Sequence, residues 1–157
     1  MSINRVEFVK SVWEECRLTS GFDQTLFKEL YVVSASDSHV VLRLPIQFIH
    51  SNRLQSVHGG LLSSLVDIGG SLSISTKGLF KTGVSVEIQT SFMNPGGVVG
   101  ETLEIRGTLN KLGGTLAFTS VEIWNVENGV LAARGSHTKH VKAARDSSMN
   151  VPADQLV

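Results

Sequence analysis

Cysteine is nearly absent from this chain. Cys16 is the only one in 157 residues, so no intramolecular disulfide can form and no cysteine-based metal centre is available. An excess of charge is also missing. Fourteen lysines and arginines balance fourteen aspartates and glutamates, which leaves no global field to attract nucleic acid or an acidic membrane surface. No apolar run reaches the length of a membrane span. The opening MSINRVEFVKSVWEECRL lacks the apolar stretch and small-residue cleavage site of a secretory signal. Glu7, Glu14 and Glu15 speak against a mitochondrial presequence. Neither a phosphate-binding loop nor a dinucleotide fingerprint occurs, and His39, His50 and His137 have no metal-ligand spacing. The expectation is a protein of a reducing intracellular compartment, cytoplasmic or mitochondrial, with no metal, no redox cofactor, no nucleic-acid partner and no integral membrane association.

What is present suffices for one domain with one sizeable core: 41% of residues are hydrophobic and 18% charged. A helix is predicted from Ile3 or Asn4 to about Cys16, with Val6, Val9, Val12 and Trp13 on one face. Strands are predicted over Thr25 to Ala35 and His39 to Ile46, with SDS at 36–38 as the turn between them. An irregular connection at 47–57 leads into a long helix from Gly59 to about Thr76. Four alternating segments follow, 83–93, 101–112, 115–126 and 130–141, separated by NPGGVVG, Gly113-Gly114 and Asn128-Gly129. The polar tail from Ala143 to Val157 is expected to fray. The fold class is α+β, with one long helix lying along an antiparallel sheet of about six strands. Small residues at Gly69, Gly70, Ser71 and Ser73 let the sheet wrap closely around it. A single helix leaves edges and a face to cover, and dimerisation is a natural solution.

Within the long helix, VHGGLLSSLVDIGG places Asp67 among leucines and valines. An ionised carboxylate in such company is costly unless paired or hydrogen-bonded. Ser63, Asp67 and Ser71 are spaced by four and form a narrow polar stripe on an otherwise apolar helix. The spacing alone fits equally an aspartate on a solvent edge. His58-Gly59-Gly60 stands at the helix start, where the first N–H groups have no partner within the helix and point at incoming negative charge. That arrangement suits the oxygen of a carbonyl under attack. Taken alone, the glycines equally permit a tight turn into the helix.

The joint pattern, Asn52 followed by His58-Gly59-Gly60 and then Asp67, resembles the hotdog-fold thioesterases, as does Ser85 in GVSVEIQTSFMNP. The later stretches GTLAFTSVEIWN and GSHTKHV are similar to the acyl-CoA thioesterase 13 branch, also called thioesterase superfamily member 2, which is PaaI-like. The resemblance covers roughly residues 40–142, so that 1–142 reads as a single hotdog domain and 143–157 as a flexible tail.

The resemblance implies a helix wrapped by the sheet and assembly as a dimer of dimers, with Asp67 facing Asn52, His58 and Gly59 of the partner subunit. It implies hydrolysis of medium- to long-chain fatty acyl-CoA. The Gly59 N–H would polarise the carbonyl, Asn52 would hold the carbonyl or the water, and Asp67 with Ser85 would activate the water. His58 would fix the loop leading into the helix. Direct attack by Asp67 to give an anhydride is the competing version. Coenzyme A contacts would come from Glu87, from Phe92, Met93, Asn94, Pro95, Gly96 and Gly97, and from the turn Lys111, Leu112, Gly113, Gly114, Thr115 and Leu116. Lys139 and His140 complete that set, with Lys111 and Lys139 as phosphate partners and Arg53 and Arg134 less secure. Relatives carry more lysines where this chain has Gly96-Gly97-Val98 and Gly113-Gly114, so fewer phosphate contacts are expected. Alternatives are an aryl-CoA thioesterase, a non-hydrolytic acyl-CoA binder, and a hydratase of the same fold. The hydratase would need a catalytic histidine in another setting.

Overall fold

A computed structural model describes all residues, Met1 to Val157. Helix α1 spans Arg5–Thr19, capped by Asn4, whose side chain accepts from the Glu7 N–H, and it buries Phe8, Val9, Val12 and Trp13. Its successor differs from expectation. Residues 21–26 form a short helix, α2 (Gly21–Leu26), whose last two residues stand where the strand was expected to start. The cause is local: the Ser20 side chain accepts from the Asp23 N–H, and the Thr25 hydroxyl bonds back to the Gly21 carbonyl. The first strand therefore begins later, β1 (Tyr31–Ser36), and turns through Ser38, at φ 67°, into β2 (His39–Pro45).

The long helix α3 spans Gly59–Ser75 and is followed by β3 (Val84–Phe92), β4 (Thr102–Leu112), β5 (Leu116–Asn125) and β6 (Leu131–His140). All pairs are antiparallel in the order β1-β2-β4-β5-β6-β3. The inner face of the sheet supplies Leu42, Leu44, Leu103, Ile105, Val121 and Ile123 to a core closed by Leu65 and Leu72 of α3. Helix α1 covers α3 and β1 from the other side, so α3 is apolar nearly all round. On the outer face, Glu104 bridges Arg43 and Arg106, and the Arg106 guanidinium lies 5.2 Å from the centre of the Trp124 ring.

Close approach between α3 and the sheet depends on glycines of both, Gly69 and Gly70 on the helix and Gly107 and Gly135 on the strands. A Cβ at Gly70 would lie 2.5 Å from Thr119 Oγ1, and one at Gly107 would collide with the Gly69 carbonyl. The tail departs from its expected fraying. It forms two 3-10 turns, Leu156 is buried, and Ile3 pairs with Leu156 in a parallel bridge, because Leu156 completes the apolar cluster under α1. No helix is long and apolar enough to cross a membrane.

Candidate active site

Asp67 occupies the middle of α3 on the expected polar stripe, its side chain 45% exposed. The Ser71 hydroxyl, one turn on, donates to Asp67 Oδ1 at 3.3 Å. The remaining neighbours come from β6. Its alternation turns Gly135, His137, Lys139 and Val141 toward α3, and buries His137 completely. His137 Nδ1 lies 3.2 Å from the Asp67 backbone carbonyl and 3.6 Å from its Oδ1, while Nε2 lies 2.8 Å from Ser85 Oγ. Because a carbonyl only accepts, Nδ1 carries the hydrogen and Nε2 accepts from the Ser85 hydroxyl. The lone pairs of Ser85 are thereby left to accept from something else. Burial pushes the His137 imidazole below its ordinary range, with the Asp67 charge acting the other way. It is held neutral.

Simple alternation in β3 would set Ser85 opposite in facing to Ile88. The pairing shifts register between Ser85 and Glu87, so that Ser85 stands opposite Lys139 while Ile88 stands opposite His137. This bulge turns both Ser85 and Ile88 toward the helix, and Glu87, opposite Thr138, away from it.

Lys139, expected as a phosphate partner, is 5% exposed, and its Nζ donates to Ser71 Oγ at 2.7 Å and Thr82 Oγ1 at 3.1 Å. It stands on the inner face of β6, facing α3. Burial pushes the ammonium below its ordinary range, opposed by the charge of Asp67. It lines a cavity of about 180 Å³ together with Trp13, Cys16, Asp23, Asp67, Ser71 and Thr82.

At the other end, His58 caps α3, accepting the Gly60 N–H on Nδ1 at 2.8 Å. The Gly59 N–H has no acceptor within the chain. Asn52 holds its own loop, taking the N–H groups of Leu54 and Ser56 on Oδ1. Buried His50 anchors that loop: Nδ1 accepts from the Gln47 N–H and Nε2 donates to the Leu26 carbonyl. The residues after β3 close over this end. The Phe92 ring stands 3.4 Å from where a Gly59 Cβ would be, the Gly97 carbonyl accepts from the Val57 N–H, and the Asn94 amide holds the Leu131 carbonyl.

The expected catalytic residues fall into two groups. Gly59 and Asp67 are eight residues apart, about 12 Å along the helix, so one thioester carbonyl does not span both within one chain. Of the expected coenzyme A residues, Phe92 to Gly97 sit beside Gly59, whereas Lys111 to Leu116 form the β4–β5 turn, with Leu116 opposite exposed His140. Arg145, which sequence reasoning did not single out, donates to the Gly113 carbonyl at 2.6 Å and adds a cation to that turn. Arg53 is exposed on the Asn52 loop, and Arg134 lies on the outer face near Glu122. Leu65 is wholly buried in the core. A larger cavity, about 580 Å³ between α1 and β1, contains none of these groups. No three His, Cys, Asp or Glu side chains gather as metal ligands.

Comparison with known proteins identifies the family. Residues 54–132 match the thioesterase superfamily. Acyl-coenzyme A thioesterase 13 of Mus musculus is 40% identical over 126 residues, covering 77% of this chain and 85% of that protein. A Schizosaccharomyces pombe protein with an esterase name is 37% identical, covering 92% and 89%. The crystal structure of zebrafish thioesterase superfamily member 2 superposes with a TM-score of 0.79 at 34% identity, covering 88% of this chain and 99% of that one. The chain belongs to the thioesterase superfamily and is a thioester hydrolase of the hotdog fold.

Proposed function

We propose that the chain hydrolyses medium- to long-chain fatty acyl-CoA at a site shared between two copies. The observation that carries this reading is the split just described. The Asp67 cluster has a base but no backbone donor for a carbonyl oxygen, and the Gly59 end has that donor but no base. A two-fold-related copy supplies each half with what it lacks. The unpaired edge of β3, with Val84, Val86 and Ile88 exposed, is the surface suited to join the copies, and pairing of such dimers gives the expected dimer of dimers.

In this site the partner's Gly59 N–H polarises the thioester carbonyl, and the partner's Asn52 steadies it. A water molecule donates one hydrogen to Asp67 and the other to the lone pair of Ser85. As the water oxygen bonds to the carbonyl carbon, Asp67 takes a proton. The C–S bond then breaks, and the proton passes to the departing coenzyme A thiolate. The spare lone pair on Ser85 favours a held water over direct attack by the carboxylate. His58 keeps the helix start in shape. Phe92 to Gly97, the Lys111–Leu116 turn, Glu87 and His140 contact coenzyme A, with Arg145 adding charge where the turn has glycines. An apolar cavity of about 280 Å³ beside His58, walled by Phe22, Leu26, Ile49 and Leu61, supports a fatty acyl chain.

The test is coenzyme A release from acetyl-, hexanoyl-, lauroyl-, palmitoyl- and phenylacetyl-CoA. Turnover is expected to peak on the lauroyl or palmitoyl ester and to fall about 10²–10⁴-fold in Asp67→Asn. A peak on phenylacetyl-CoA would make the substrate an aryl ester, and binding without turnover would make the protein a sensor. Asp67→Asn and Asn52→Ala chains, weak alone, should regain up to about a quarter of wild-type activity when refolded together, since half the dimers then hold one intact site. Absence of any recovery would place the whole site in one chain.

A further inference from the structure

Lys139 is a buried cation that the hydrolysis described above does not use. An ammonium group has only hydrogens to give, and two of its three go to Ser71 Oγ and Thr82 Oγ1. Ser71, having accepted from Lys139, directs its own single hydrogen to Asp67 Oδ1. The hydrogens therefore run one way, from ammonium through hydroxyl to carboxylate. A lysine stripped of water needs an anion, and the anion at the end of this path is the group read as the base.

The surroundings make that pairing specific. Facing Asp67 across the cavity are Cys16 of α1, Asp23 of α2, and His137 and Lys139 of β6. His137 is kept neutral by burial, and burial pushes both the Cys16 thiol and the Asp23 carboxyl upward. Lys139 is the one lysine or arginine in the group, and its Nζ is committed to Ser71 and Thr82.

We propose that Lys139 is a positioning residue for hydrolysis: through Ser71 it fixes the orientation of the Asp67 carboxylate and supplies the positive charge that carboxylate faces once substrate has displaced water. The proposal rests on reading Asp67 as the base. It also accounts for why a lysine on this strand points inward, away from the phosphates it would otherwise serve.

Three variants test it beside Asp67→Asn, each first checked for folding by circular dichroism and thermal melting. Lys139→Met keeps the length and removes the charge, Lys139→Arg keeps the charge, and Ser71→Ala cuts the path while leaving the lysine. For Lys139→Met, kcat should fall about 10- to 100-fold with little change in KM, and the acid limb of the kcat profile should move to higher pH. Lys139→Arg should recover part of both losses, and Ser71→Ala should shift the limb in the same direction. A folded Lys139→Met with unchanged kcat and limb would overturn the proposal. So would a rise in KM alone, which would return Lys139 to coenzyme A binding. If Lys139→Met does not fold, an unmoved limb in Ser71→Ala overturns it instead. Full activity in Asp67→Asn would remove the base itself. A dead Asp67→Asn beside an unaffected Lys139→Met would remove only the role of Lys139.

Discussion

His137 is the residue on which three parts of the site converge: the backbone of α3, the carboxylate of Asp67 and the hydroxyl of Ser85. Holding it neutral has a consequence for stability. Its folded pKa lies below the ordinary 6.5, so as pH falls through that range the unfolded chain takes up a proton that the folded chain refuses. Stability must then drop on acidification. The midpoint of urea unfolding is expected to be lower at pH 5.5 than at pH 7.5, and the slope should flatten in His137→Gln, whose amide can still accept from Ser85. Equal slopes in the two proteins would mean that other groups carry the acid loss. This residue was legible in outline only. GSHTKHV marks a strand whose alternation must turn either His137 and Lys139 or Thr138 and His140 inward. The polar residues themselves do not say which; the choice is made by Val141 and Ala133 seeking the core. Asp67 was plainer, because a carboxylate among leucines violates a rule that needs no tertiary information.

Helix α3 carries both half-sites, so its distance from the sheet sets their geometry. At Gly70 an added Cβ would press on Thr119 Oγ1 and the His137 side chain. Alanine gains about 1 kcal/mol of helix propensity over glycine, but the overpacking costs about 1–3 kcal/mol. Gly70→Ala is therefore expected to lower the melting temperature by a few degrees and to cut turnover further than the loss of fold explains, because Asp67 and Ser71 shift with the helix. A variant that melts higher than wild type would show that the sheet yields at Thr119. At this scale the long helix, its polar stripe and all six strands, the first of them starting later than expected, follow from periodicity and turn residues. Two devices do not. Helix α2 is too short to show a period, and only the Ser20–Asp23 cap announces it. The bulge after Ser85 leaves no mark in the sequence, because an unpaired residue in one strand is defined by its partner, β6.

For the molecule as a whole, the two ends matter as much as the centre. The Arg5 N–H donates to the Val157 carbonyl, the Val157 N–H to that of Ile3, and the Ile3 N–H to that of Gln155. First and last segments thus run side by side under α1, on the cluster that also holds Phe8 and Val9. A tail that is polar in composition gave no sign of this, since a few scattered residues, Ala144, Asn150, Val151 and Leu156, do the anchoring. The topology is therefore that of a ring with a single nick. Sealing the nick with a Gly/Ser linker of about five residues and reopening the chain between Asn128 and Gly129, in an exposed turn, should give a permuted hydrolase with unchanged substrate order. The order in which the segments follow one another would then be nothing that the folded domain needs.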